Sequence, residues 1–354
     1  MVSEVSDANT AHNTTQHGWQ RWLPAMLAVA LVFTMLAAAC VGAVHVPLSL
    51  LVKSLLGGAP LTDDQRIILL SIRLPRIIAA AIVGSALSVS GLLFQGLFRN
   101  PLADPYVIGS SGGAVLGASI GVFLLPSISI AGFGATTMFA FIGAVSSILL
   151  VYWLAHVDGH TPVVGLLLAG FAVSTMLSYS SYFLEVMDHD FGTGMKVLSS
   201  WLHGSIAQPT WPQLLIVFIL LCAGLLGSFP LARHLNTLAL GEEYATNLGL
   251  SVQQIRIAVI VIGSILTAAA VALGGLISFA GLIVPHILRM ILGPDHLRLL
   301  PSTALAGALF LLIADTVART VIAPSELPVG VLTAFIGGPF FLYLLRKTKQ
   351  GVMS

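Results

Sequence analysis

Charge is what this 354-residue chain has least of: Asp, Glu, Lys and Arg make up 8% of it, and 15 cations against 14 anions leave a net charge of +1. That excludes the dense positive surface by which proteins hold nucleic acid, so each charge matters by its position. Cysteine is scarce as well. Cys40 and Cys222 sit in separate apolar runs and read as small buried hydrophobes, not as a disulfide framework. No Gly-x-x-x-x-Gly-Lys-[Ser/Thr] sequence occurs, which excludes ATP hydrolysis by a phosphate loop in this chain. His156 and His160 have the spacing of a helical metal pair, but Gly159 and Pro162 favour a turn and no third ligand lies near, so no metal site is expected.

What remains is apolar: 57% hydrophobic residues and a mean hydropathy of +0.98 place the chain in a bilayer. The polar stretch Met1 to Gln20 predicts a disordered cytoplasmic tail, followed by a transmembrane domain over residues 21–349 and a short tail at 350–354. Apolar runs long enough to span lipid, punctuated by Pro, Gly or charge, predict an all-α polytopic fold with ten transmembrane helices. They are Leu23 to Val46, Ile77 to Phe98, Tyr106 to Leu125, Gly132 to Ala155, Val163 to Leu184, Trp211 to Leu231, Ile255 to Leu273, Leu276 to Leu292, Leu299 to Val321 and Val329 to Leu345. An even number puts both termini on one side, and Arg346, Lys347 and Lys349 mark it as cytoplasmic. Two outer segments, Pro47 to Ile72 and Glu185 to Thr210, are long enough for interfacial helices.

Against that topology three cations stand out. Arg73, Arg76 and Arg319 fall on the outer side at span ends, which suggests that something outside the membrane uses positive charge there; snorkelling to lipid phosphates is the plainer account for any one of them. Asp315, at i, i+4 from Arg319, predicts an intrahelical ion pair. Small residues crowd the third span, including Gly109, Ser110, Gly112 and Gly113, and suit either close helix packing or a conduit for a bulky solute. Pro101 and Pro105 break the helix beside them, and that non-helical break suits a gate. In the inner loop, Leu240, Gly241, Glu242, Ala245, Leu248 and Gly249 belong to a short helix stopped by glycine, suited to a groove on a soluble partner or simply to solvent.

These segments together resemble the FecCD-type, BtuC-like permease subunits of ABC importers for ferric siderophores, haem and vitamin B12. The resemblance runs from Leu23 to Lys347. It is carried by Arg73-Leu74-Pro75-Arg76, Gly91-Leu92-Leu93-Phe94-Gln95, Asn100-Pro101-Leu102-Ala103-Asp104-Pro105, Leu166-Leu167-Leu168-Ala169-Gly170, Phe279-Ala280-Gly281-Leu282-Ile283-Val284-Pro285-His286 and Glu326-Leu327-Pro328-Val329-Gly330. It implies a homodimer of ten-helix subunits with inverted repeats in the bacterial inner membrane. Two cytoplasmic ATPase subunits would hold the ATP and Mg²⁺, this chain holding no cofactor, and a periplasmic or lipid-anchored binding protein would deliver the solute.

The family match assigns Arg73, Arg76 and Arg319 to docking of that binding protein, Asn100 and Leu102 to a cytoplasmic gate, and the loop around Leu240 to Leu250 to ATPase coupling. A second gate precedes the Leu-Leu-Leu-Ala-Gly stretch in family members, some of which carry Thr-Ser; Val163 and Val164 stand there in this chain, with Thr161 displaced. The expected function is ATP-driven import of an iron(III)–siderophore complex, with haem or a corrinoid as the alternative cargo. An ion-coupled secondary transporter is the competing class, and it would bury charge at mid-membrane, where Asp315 is nearly alone. A membrane enzyme would need His, Asp or Glu clustered at one depth, and the sequence offers no such cluster.

Overall fold

The structure is a computed structural model that describes residues 18–42, 62–130, 132–157, 161–187, 193–206, 208–323 and 325–352. Nearly all of the expected N-terminal tail, most of the outer segment before Ile72, and His160 lie outside these residues. Among the described residues, twelve helices make up the fold: α1 Leu23–Cys40, α2 Asp63–Leu97, α3 Ser110–Leu124, α4 Ala135–Ala155, α5 Val163–Met187, α6 Thr193–Leu202, α7 Trp211–Ala239, α8 Glu242–Asn247, α9 Val252–Gly274, α10 Ala280–Leu292, α11 His296–Thr320 and α12 Val329–Val352. Seven are long and apolar enough to cross a membrane. The apolar α3, α10 and α12 complete the expected set, while α6 and α8 are short connecting helices. A two-residue hairpin, β1 Ser129–Ile130 with β2 Phe133–Gly134, joins α3 to α4.

At the centre stands α2, whose small residues let neighbouring helices close on it. A Cβ at Gly84 would overlap the Gly307 carbonyl of α11, and one at Gly91 would overlap the Gly281 carbonyl of α10. Ser90 Oγ donates to the Gly263 carbonyl of α9 at 2.8 Å and pairs with Thr267 Oγ1 at 2.7 Å. In lipid, where no hydrophobic force draws helices together, such backbone approach and hydrogen bonding hold a bundle. The gain is visible in burial: α2 is almost wholly enclosed, whereas α1 and α5 leave most of their length uncovered in the single chain.

Three expected boundaries shift, each for a physical reason. Apolar length places the second span at Ile77, yet the helix begins at Asp63, capped by Thr62, and passes through a π-helical stretch at Ile68–Arg73. Pro75 lacks an N–H and crowds the preceding turn, and the wider π turn gives it room, so Arg73 and Arg76 lie inside a continuous helix and not at its mouth. Helix α7 continues past Leu231 to Ala239 because Leu235 and Leu238 still find buried partners. The eighth span is broken: residues 275–278 are non-helical, Gly275 (φ 67°) turns the chain, and α10 begins after Phe279, itself at φ 68°. Backbone groups freed there find partners on α6 and the turn before α3, where Leu276 N donates to Trp201 O at 3.4 Å and Tyr106 Oη donates to Ile277 O at 3.3 Å. Irregular backbone at such depth is tolerable only when covered in this way.

Candidate functional site

Two polar clusters occupy opposite ends of the bundle. The first gathers the outer arginines on α2 and α11. Asp315, with no exposed surface, accepts from Arg76 Nε at 3.1 Å and Nη2 at 3.0 Å and lies 3.2 Å from Arg319 Nε. Half-exposed Glu326 takes Arg76 Nη1 at 2.6 Å. Arg73 Nη1 donates to the Ala39 carbonyl at 2.6 Å, tying α1 to α2. Spacing along one helix predicts the Asp315–Arg319 pair, but nothing in the spacing shows that Asp315 also serves Arg76, more than two hundred residues away. Among these described residues, three cations stand with two anions. Arg73 and Arg319 are buried and Arg76 is nearly so, leaving little of the three guanidinium groups to offer an incoming protein directly.

The second cluster surrounds α8. Glu242 Oε1 receives Arg256 Nη2 at 2.8 Å and stands 3.8 Å from Arg99 Nη2. Arg256, 7% exposed, uses its other arm, Nη1, to donate to the Thr161 carbonyl at 2.5 Å. The buried Thr161 hydroxyl is held by Gln253 Nε2 and His156 Nδ1, each at 2.9 Å. Of the residues assigned to coupling, Leu240 and Leu248 are exposed, as is Tyr244 between them. Ala245 has no exposed surface and faces its own chain, where it seats α8, and Leu240, Tyr244 and Leu248 present the free face. Gly241 (φ 133°) and Gly249 (φ 81°) bound the helix in conformations that glycine adopts without strain.

Between α2 and α3 the chain turns through Asn100 and Leu102. Asn100 is exposed and its Oδ1 accepts from Leu102 N at 3.0 Å, forming a local Asx turn. Gln95 Nε2 closes the turn from inside, donating to Ala103 O at 3.4 Å and to Leu282 O at 3.2 Å. Asp104 accepts from Tyr106 N at 2.9 Å, and burial pushes its carboxyl up to about 6.

The small-residue face of α3 does not line an opening within the chain. Gly112 lies against Ser174 of α5 and Gly113 against the Gly143 carbonyl of α4, closely enough that a Cβ on either would overlap them; Gly109 (φ 91°) sits by Ser147 and Val151, and Ser110 is buried with its hydroxyl on Pro105 O. Within the chain these small side chains permit backbone contact between α3, α4 and α5. A cavity of about 460 Å³ lies elsewhere, lined by Leu202, His203, Leu276, Ser278, Val331 and Phe335 beside the broken eighth span. Its only signal in the sequence is Gly274-Gly275 before a short apolar run.

Residues 30–347 match the model of the FecCD transport family. Among similar proteins, the cobalamin import system permease BtuC of Halobacterium salinarum is 43% identical over 287 residues, covering 81% of this chain and 75% of that one. The hemin transport system permease HmuU of Yersinia pestis is 42% identical over 284 residues, covering 79% and 84%. A solved metal-chelate type ABC transporter in an inward-facing conformation superposes with a TM-score of 0.80 at 30% identity, covering 92% of this chain and 98% of that one.

Proposed function

Because the chain belongs to the FecCD transport family, and is thus the multi-pass permease of an ABC importer and not an enzyme, we propose that it imports a large metal chelate, an iron(III)–siderophore complex first among them. The observation that carries this reading is the match of the entire bundle, residues 30–347, to a family whose similar members are named for cobalamin and hemin import. Those names make haem or a corrinoid the second reading. All three cargoes are bulky chelates in which organic groups occupy most metal positions.

Two copies of the chain form the permease in this proposal, with the extensive uncovered apolar surface of α5 meeting lipid or the second copy. ATP and Mg²⁺ sit in two partner ATPase subunits that dock on α8 through Leu240, Tyr244 and Leu248. The loaded binding protein docks at the Arg73, Arg76 and Arg319 end, and Asn100 and Leu102 close the path on the ATPase side. Both termini are cytoplasmic and the membrane is the bacterial cytoplasmic one. Alternating access follows: ATPase closure moves α8, and the turns around it change which end is open.

The test is uptake into vesicles holding this permease and its ATPase, with loaded binding protein outside, comparing a ferric hydroxamate siderophore, haemin and cyanocobalamin. ATP-dependent accumulation of the siderophore alone is the expected result. Accumulation of haemin or cyanocobalamin in its place shifts the cargo to the second reading, and uptake that needs an ion gradient and no ATPase refutes the importer.

A further inference from the structure

We infer that Arg256 is a positioning residue that links the ATPase-docking helix to the turn preceding α5, with Glu242 as the point where the link is pulled; this rests on the importer reading above. One guanidinium bridges two segments separated by more than eighty residues, donating from Nη2 to Glu242 of α8 and from Nη1 to the Thr161 carbonyl. The Thr161 segment cannot slip past it easily, because the first turn of α9 grips it a second time through Gln253 Nε2 on the Thr161 hydroxyl. Glu242 is the first residue of α8, so any tilt of that helix moves its carboxylate directly.

The same carboxylate reaches toward Arg99, which opens the turn carrying Asn100 and Leu102. Arg99 holds φ 47°, a strained conformation for a non-glycine residue that persists only where surroundings enforce it. Glu242 is thus placed between two turns, each next to the start of a membrane helix: the one before α3 through a long contact to the exposed Arg99, the one before α5 through a short contact to the buried Arg256, which carries it on to Thr161. The asymmetry in distance and burial makes the α5 arm the dominant one. A charge-assisted, two-armed arginine suits such a link, because its rigid fork fixes the separation of the two acceptors, which a lysine cannot do.

The experiment uses the permease assembled with its ATPase in nanodiscs, in a Cys40→Ser, Cys222→Ser background carrying Val164→Cys, an exposed position three residues past Thr161. Maleimide labelling is compared without nucleotide and with ADP–vanadate trapped. In the parent, trapping is expected to change the labelling rate at least fivefold. Glu242→Gln and, separately, Arg256→Lys should bring that change below twofold while ATPase subunits stay bound and still hydrolyse ATP. Glu243→Gln, which alters the adjacent carboxylate, should keep the parent's change. The inference is overturned if Glu242→Gln keeps the parent's ratio, or if it simply releases the ATPase, which would make Glu242 a docking contact. A parent that binds no ATPase, or whose labelling ignores nucleotide, overturns the importer reading and the link with it.

Discussion

Replacing Asp315 by Asn should cost this protein far more than replacing Glu326 by Gln, although both carboxylates bind the same arginine. Asp315 is fully buried, accepts from Arg76 and lies 3.2 Å from Arg319 Nε as its ion-pair partner, so removing its charge leaves two guanidinium groups facing each other across a neutral amide. Breaking a buried ion pair by deleting one partner typically costs about 3–5 kcal/mol, because the remaining charge stays buried and uncompensated. Glu326 is half-exposed and makes one contact, and exposed pairs are worth about 0.2–1 kcal/mol. The expected gap is thus on the order of a hundredfold or more in the folding equilibrium.

Reversible unfolding in mixed micelles, titrated with SDS and followed by tryptophan fluorescence, reads it. Equal unfolding midpoints for the two variants would refute the assignment of Asp315 as the counterion that holds α2 to α11. The same geometry changes how docking must be tested. Charge reversal at Arg76 would set a new carboxylate against Asp315, and any loss of binding-protein capture would then report a damaged bundle. Glu326→Gln is the informative change. It frees a guanidinium arm without exposing a buried charge, and it should tighten capture of a carboxylate-bearing binding protein at low salt.

Tyr244→Asp and Leu248→Asp should leave unfolding within about 0.5 kcal/mol of the parent, as exposed substitutions do, yet weaken ATPase retention at least tenfold in a pull-down; Ala245→Arg should instead destabilise the chain itself. Gly91→Ala should cost about 1–3 kcal/mol or more through overlap with the Gly281 carbonyl, whereas Gly338→Ala, with open space at its Cβ, should be nearly neutral in the same micelle titration. Asp104 gives a pH signature of definite sign. Its carboxyl is raised from 3.8 to about 6 in the folded turn, so the neutral form favours that turn fully below pH 4, and the stabilisation is lost as pH rises through 6. Labelling of Leu102→Cys should accordingly be slower in Asp104→Asn than in the parent at pH 7.5, with the two rates converging near pH 5; a ratio independent of pH contradicts this.

The seven long spans were legible because a bilayer sets a minimum length for a helix that crosses it, and an apolar run reports that length without knowledge of its neighbours. The break before α10 was not. Hydropathy counts Leu276 and Ile277 the same whether their backbone is helical or extended, and it is the carbonyl of Trp201 and the hydroxyl of Tyr106 that make the extended form tenable. The glycines of α3 were ambiguous for a related reason: a small face permits a helix or a solute to approach, and the sequence does not say which arrives. In the structure α4 and α5 are there.

Charge divided along the same line. Topology brought Arg73, Arg76 and Arg319 to one end without any contact being known, since helix ends are one-dimensional facts. Spacing along α11 made the Asp315–Arg319 pair readable, but the partners of Arg76 were not, because Asp315 and Glu326 meet Arg76 only after α11 packs against α2, and Arg256 meets Thr161 and Glu242 only after α8, α9 and the turn before α5 converge. A chain with so few ionisable groups cannot leave one unmatched in a low-dielectric interior at small cost. An arginine that the spans place near a buried depth therefore implies a carboxylate or a carbonyl beside it, on the grounds of desolvation alone. Packing decides which one, and with it the two places where movement of a partner could be felt inside the membrane.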